Sequence, residues 1–242
     1  MEFIEGWDTP KDILVILAHP DDPEFFLGAT IARWIKAGHT VRYVLLTQGD
    51  KGAEDGKLTL EEICRIRREE QVNAAGLLGV KSVDFMDYQD GYLVPDLEMR
   101  KKVVRCIRQY QPQILVTCDP SNLFPNEHYV NHPDHRYAGQ VVIDAVFPAA
   151  GNRFFFPELL DEGYEPHEVE EVWMSLTNTP NVRMDVTDFW DIKLKSLKHH
   201  VSQIGDPEAF EKHMLERAEK DDNGNLVFFE HFRTIKFRRR TA

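Results

Sequence analysis

The stretch Ile13-Leu14-Val15-Ile16-Leu17-Ala18-His19-Pro20-Asp21-Asp22 carries an unbroken apolar run straight into an imidazole and two carboxylates. Such a run reads as a parallel strand buried on both faces, and the Pro and Asp behind it as the tight turn that ends it. Outward from there, Glu24 to Ala37 places Leu27, Ile31, Trp34 and Ile35 along one side of a helix that Gly38 terminates. Thr40 to Thr47 is a second strand, Thr59-Leu60-Glu61-Glu62 a capping box for a helix to Leu78, and Ser82 to Tyr88 a third strand. A third helix takes Pro95 into its first turn and reaches Tyr110, with Leu97, Val103, Val104 and Ile107 as its apolar stripe. Gln113 to Asp119 is a fourth strand, and Pro133 starts a fourth helix over Asp134 to Phe147. This alternation predicts right-handed βαβ units, hence an α/β fold: a Rossmann-like, doubly wound, mostly parallel sheet.

Beyond about residue 150 the pattern is less regular. Phe147 to Pro166, rich in Pro, Gly and aromatics, reads as a long loop or lid. Val169 to Leu176 and Val182 to Val186 read as short strands, and Asp188 to Ser202 and Glu208 to Lys220 as helices. Asp221 to Asn225 is a turn before Leu226 to Phe229. The expectation is one domain over 1–242, with a core at about 11–150 and 151–242 as a small C-terminal embellishment packed on it.

The chain has 29 Lys and Arg against 41 Asp and Glu, a formal net charge of −12. Such a surface repels polyanions, which speaks against nucleic acid or a membrane as partner. Arg238-Arg239-Arg240 is a local exception and reads as a solvated tail. No apolar run is long enough to span a bilayer, and Met1 to Gly6 has neither the basic nor the apolar part of a secretory leader. Cys64, Cys106 and Cys118 lack CxxC spacing and sit in apolar contexts, so reduced thiols and a cytoplasmic location are expected.

The chemistry lies in a second cluster, Asn131-His132-Pro133-Asp134-His135, behind the fourth strand. If strands one and four are neighbours, both clusters converge on the crevice beyond the carboxyl ends of the sheet. His19, Asp22 and His135 then supply two imidazoles and a carboxylate, a set suited to Zn²⁺ with positions left for water and substrate. A divalent ion lowers the pKa of bound water from 15.7 to about 7. Asp21 is placed to act as general base, and His132 to stabilise an oxyanion with Asp134 holding its orientation and charge. These parts describe metal-assisted hydrolysis of an acyl bond. An Fe²⁺ oxygenase uses the same donor types, but the extra Asp and second His favour proton transfer over oxygen activation. A nucleotide-binding module fails at the first turn, which has no Gly-x-Gly-x-x-Gly and puts acids where a pyrophosphate would sit. Gly49-Asp50-Lys51-Gly52 has no Walker spacing and reads as a flexible loop after a strand.

Five stretches together resemble the LmbE-like, or PIG-L-like, zinc-dependent de-N-acetylases. They are Ala18 to Asp22 with Glu24, Leu46 to Gly52, Arg67-Arg68-Glu69-Glu70 leading to Leu78-Gly79-Val80, Asn131 to His135, and Asp185 followed by Lys195 and His200-Val201-Ser202-Gln203. In the first of them Pro23 stands interposed before Glu24. The resemblance implies zinc on His19, Asp22 and His135, Asp21 as base and His132 as stabiliser of the tetrahedral intermediate. It further implies that Arg67 and Asp90 hold the sugar, with Tyr129 as a further substrate contact and His200 near the site. The implied substrate is an N-acetylglucosamine-type conjugate; a larger N-acyl amide is the alternative within the family. A catalytically silent sugar-binding or interaction subunit is the alternative from another class, against which the intact ligand set speaks. Asn122 to Tyr129 and the 147–166 loop should shape substrate choice. Phe154, Phe155 and Phe156 offer rings to stack on a sugar, but suit core or interface packing better, as in a homo-oligomer such as a trimer or hexamer.

Overall fold

Strand β1 (Asp12–Leu17) pairs in parallel with β2 (Thr40–Thr47) on one side and β4 (Ile114–Cys118) on the other, the adjacency that convergence of the two clusters requires. The computed structural model describes residues 5–53 and 56–238; Met1 to Ile4 and Arg239-Arg240 of the terminal basic run lie outside the described residues. With β3 (Ser82–Tyr88), β5 (Glu171–Ser175), β6 (Val182–Asp185) and β9 (Phe229–Lys236), the sheet has seven strands in the order β3-β2-β1-β4-β5-β9-β6. Strands β3 to β5 in that order run parallel, and β9 is antiparallel to both β5 and β6. The chain order reverses between β1 and β4, which opens the crevice there.

Helix α1 (Asp22–Lys36) begins two residues before the expected Glu24, which brings Asp22 and Glu24 into its first turn behind Asp21. Helix α2 (Leu60–Leu78) has the reciprocal Thr59–Glu62 capping box and ends on left-handed Gly79. Helix α3 (Leu97–Tyr110) is capped by Asp96, whose side chain accepts from the Met99 amide; Pro95 therefore stands outside the helix, not in its first turn. Helix α4 (Pro133–Asp144) stops short of Phe147 and loosens into a π-helical turn, Ala145–Ala150. Within the expected lid only α5 (Glu158–Asp161) is regular.

The helix expected over Asp188 to Ser202 is instead a 3-10 turn (Thr187–Phe189), α6 (Trp190–Leu197) and α7 (Val201–Ile204). The break leaves His200 fully buried. After α8 (Pro207–Leu215), the Asp221 to Asn225 turn joins short strands β7 (Glu219–Lys220) and β8 (Leu226–Val227). The C-terminal third also does more than pack on the sheet: it supplies β5, β6 and β9 to it.

Strand β9 was hidden by its charge. Its sequence, FEHFRTIK, sets pairs of polar residues between single apolar ones and so lacks the strict alternation of a strand, and its Glu230 is buried for a specific reason. Leu27 breaks the regularity of α1 (φ −150°, ψ 21°), and the Glu230 carboxylate accepts from the Ala29 and Thr30 amides at 3.3 and 2.8 Å. Lys193 balances that carboxylate at 2.6 Å. Apolar side chains fill both faces of the sheet, with Trp34, Trp173 and Phe232 on one and Val103, Val104 and Val142 on the other. Among the described residues no helix is long and apolar enough to cross a membrane.

Candidate metal centre

The turn after β1 and the start of α4 meet because α4 sits almost on the backbone of β4. A Cβ on Gly139 would fall 2.3 Å from the Cys118 carbonyl oxygen, so only glycine permits the approach that carries His135, one turn earlier, to Asp22. Asp22 accepts the His19 backbone N–H at 2.8 Å through Oδ2 and faces His135 Nε2 at 3.1 Å through Oδ1. His19 Nδ1 lies 3.4 Å from Oδ2. One ligand atom from each of His19, Asp22 and His135 falls within 4.8 Å of the others.

The outer hydrogen bonds fix what these rings can offer. His135 Nδ1 lies 3.0 Å from Asn131 Oδ1, while His19 Nε2 lies 3.3 Å from Asp134 Oδ2 and 3.1 Å from Asp90 Oδ1. A proton on each of those nitrogens leaves His19 Nδ1 and His135 Nε2 as lone pairs beside the Asp22 carboxylate. Two oriented imidazole lone pairs and a carboxylate fit a divalent cation. Burial works against charge on His19, yet Asp22, Asp134 and Asp90 hold its pKa well above the usual value. Burial likewise works against charge on Asp22, but His135 and His19 keep its carboxyl far below the usual carboxylate range.

Asp21 stands beside this set with its pKa pushed up to about 6, chiefly by burial and against the opposing pull of Arg67. Arg67 Nη2 donates to Asp21 Oδ2 at 3.0 Å and to the Pro20 carbonyl at 2.5 Å. Arg67 is only 4% exposed, and a Cβ on Gly52 would fall 2.1 Å from its Nη1. The guanidinium expected to reach for sugar is thus enclosed against the turn it grips.

Asp90 lies at the same wall: its backbone N–H donates to Asp50 at 2.7 Å, and its carboxylate is 3.9 Å from His132 Nε2. His132 is half-buried, its ring centroid 4.7 Å from that of His19. Its Nδ1 accepts from the Asp134 backbone N–H at 3.2 Å, which leaves Nε2 to carry the proton of the neutral ring. Asp134 therefore orients His132 through its amide, while the charge of its carboxylate acts on the ring from a distance and favours the protonated form. That carboxylate accepts from the Gly91 and Leu93 amides at 2.7 and 3.2 Å and faces His19. Burial depresses the His132 pKa, with the His19 charge acting in the same direction. Tyr129 is exposed on its loop, paired by a bridge to Asn126, and no hydrogen bond among the described residues joins it to the cluster.

Gln71 escaped the sequence reading, although its spacing of four from Arg67 puts both on one face of α2. Glu24 entered that reading only within a motif. Both are fully buried against the turn.

A doubly wound sheet with a two-His, one-Asp donor set at its carboxyl edge, and a further carboxylate alongside, is the arrangement of a metal-dependent enzyme suited to hydrolysis. Residues 14–146 match the PIG-L family, described as GlcNAc-PI de-N-acetylase, and the chain belongs to that family. It is similar to a diacetylchitobiose deacetylase of Thermococcus kodakarensis, with 37% identity over 200 residues, 83% of this chain and 73% of the relative. A probable N-acetyl-α-D-glucosaminyl L-malate deacetylase of Bacillus anthracis is 26% identical across 80% of this chain and 82% of its own. The solved N,N'-diacetylchitobiose deacetylase from Pyrococcus horikoshii superposes with a TM-score of 0.83 at 33% identity, covering 93% of this chain and 84% of that one.

Proposed function

We propose that the protein is a zinc-dependent N-deacetylase that removes acetate from an N-acetylglucosamine-type sugar. The observation that carries this reading is the orientation of His19 and His135, each held by an outer acceptor so that its free lone pair lies beside Asp22. His19, Asp22 and His135 would hold the ion. When bound, it supplies Lewis-acid polarisation of the amide carbonyl and an acidified water.

Asp21 would serve as the proton acceptor for the attacking water; a carboxylate whose pKa is raised toward 6 by burial is better matched to this task than an exposed one. His132 presents Nε2–H toward the cleft, where it stabilises the developing oxyanion. Asp90, beside His19 and His132, and the 122–130 loop would receive the sugar. The names of the related deacetylases support the amino-sugar class. Among the described residues the three cysteines are unpaired, which supports a cytoplasmic location. Exposed Phe147 and Phe154 support burial of that face in a homo-oligomer.

The test is acetate release by zinc-loaded protein from N,N'-diacetylchitobiose and N-acetylglucosamine, with and without chelator. Release that stops on chelation and returns with zinc is expected. Release that survives complete metal removal contradicts the reading.

A further inference from the structure

Asp21 has φ 88° and ψ −31°, a backbone conformation that an L residue other than Asn or Gly rarely adopts. A strained residue persists only where its surroundings over-determine it. Here the restraint is a buried polar chain drawn from three segments of the fold. The Asp21 N–H donates to Gln71 Oε1 at 2.7 Å, and Gln71 Nε2 donates to Glu24 Oε2 at 2.9 Å. His200 Nε2 lies 3.1 Å from the same Glu24 oxygen. Gln71, Glu24 and His200 are each 0% exposed.

The chemistry of the chain sets its direction. A carboxylate offers acceptors only, so Glu24 compels Gln71 to present its NH₂ and thereby turns the amide oxygen toward Asp21. His200 occupies Glu24 from the other side, and it is buried because the chain breaks between α6 and α7. That break is pinned in turn: Ser202 donates to Glu70 at 2.6 Å, and Gln203 donates to the Gly52 carbonyl at 2.9 Å. The arrangement is poor as a device for stability. Gln71, Glu24 and His200 are all withdrawn from water here, with the buried Tyr43 hydroxyl also against Glu24, and an apolar trio of the same volume would avoid that desolvation.

We propose that Gln71, oriented by Glu24 and His200, is the positioning residue that holds Asp21 in its left-handed backbone and so keeps the carboxylate aligned for proton transfer. The inference rests on Asp21 being the base. It assigns the C-terminal segment a part in the reaction although none of its residues enters the metal set.

The test is Gln71→Met, which keeps side-chain volume and removes both polar atoms, measured by kcat per bound zinc, KM, zinc stoichiometry and melting temperature. A fall in kcat of about 10²-fold with zinc content and KM unchanged is expected, the scale of a misplaced catalytic group. In an Asp21→Asn background the same substitution should cost nothing further, because the two residues act as a unit. His200→Gln, which keeps a donor to Glu24, should retain activity that His200→Leu loses. An unchanged kcat per zinc in Gln71→Met, or an equal loss in both backgrounds, overturns the inference. Wild-type turnover by Asp21→Asn alone would instead overturn the assignment of the base.

Discussion

Asp22 and His135 lie 113 positions apart in the chain, yet Asp22 Oδ1 and His135 Nε2 stand 3.1 Å apart, both residues buried. Adjacency of β1 and β4 brings the two clusters to one crevice, and the Gly139 approach closes the remaining distance. The metal set is thus a product of topology as much as of motif.

The outer partner of His135 provides the first test. Asn131 receives His135 Nδ1–H on its oxygen while its Nδ2 donates to the Asn122 carbonyl at 2.8 Å, so its amide cannot turn over without loss. Asn131→Leu should weaken zinc binding by about 10–100-fold with the three ligands intact. Competition with a chromophoric chelator measures it.

Arg67 separates two roles. A sugar-binding arginine would raise KM when removed, with kcat little changed. Buried on Asp21 and the Pro20 carbonyl, Arg67 should act through the base. Arg67→Met is therefore expected to lower kcat by at least tenfold with KM nearly constant, read from initial rates of acetate release.

The buried Lys193–Glu230 pair tests the architecture rather than the chemistry. Lys193→Met removes the ion-pair partner of the buried Glu230 carboxylate beneath the break in α1, leaving it only the α1 amides and the more distant Arg217, and should destabilise the fold by about 3 kcal/mol. Urea unfolding gives the value, and zinc stoichiometry of the folded fraction should be unchanged.

Thiol reactivity follows the pKa directions. Burial raises Cys64, pushes Cys106 up to about 12 and holds Cys118 well above the usual thiol value. Since the reactive form is the thiolate, a raised pKa leaves less of it at pH 8 than a free cysteine has. Native protein should therefore be alkylated by iodoacetamide more slowly than the same chain in urea at all three positions, as peptide mass spectrometry would show.

The parts of this account legible in the sequence are those written in local pattern. The apolar run before His19 announced β1, the capping box at Thr59 fixed the start of α2, and the pairing of His19-Pro20-Asp21-Asp22 with His132-Pro133-Asp134-His135 announced the donor set. The parts that escaped depend on partners far along the chain. Glu230 and Arg233 made β9 look like surface, because the α1 amides and Lys193 that surround Glu230 lie about 37 or more positions away. The sugar-binding role of Arg67 came from the family resemblance alone, and its burial against Asp21 and the Pro20 carbonyl had no local sign in the sequence. Gln71 carried no signal beyond its spacing from Arg67. The break before His200 goes with contacts far along the chain, Ser202 to Glu70 and Gln203 to the Gly52 carbonyl, and the propensity of Asp188 to Ser202 gave no sign of it.

The central claim is that Asp21 moves the proton while His19, Asp22 and His135 hold the metal, and Asp21→Asn tests it most directly. The asparagine retains the shape and can still accept from Arg67. One zinc per chain is expected, as in the wild type, with kcat for acetate release lowered by about 10²–10⁴-fold, the range for loss of a general base. A zinc-loaded Asp21→Asn protein that turns over at the wild-type rate would contradict it.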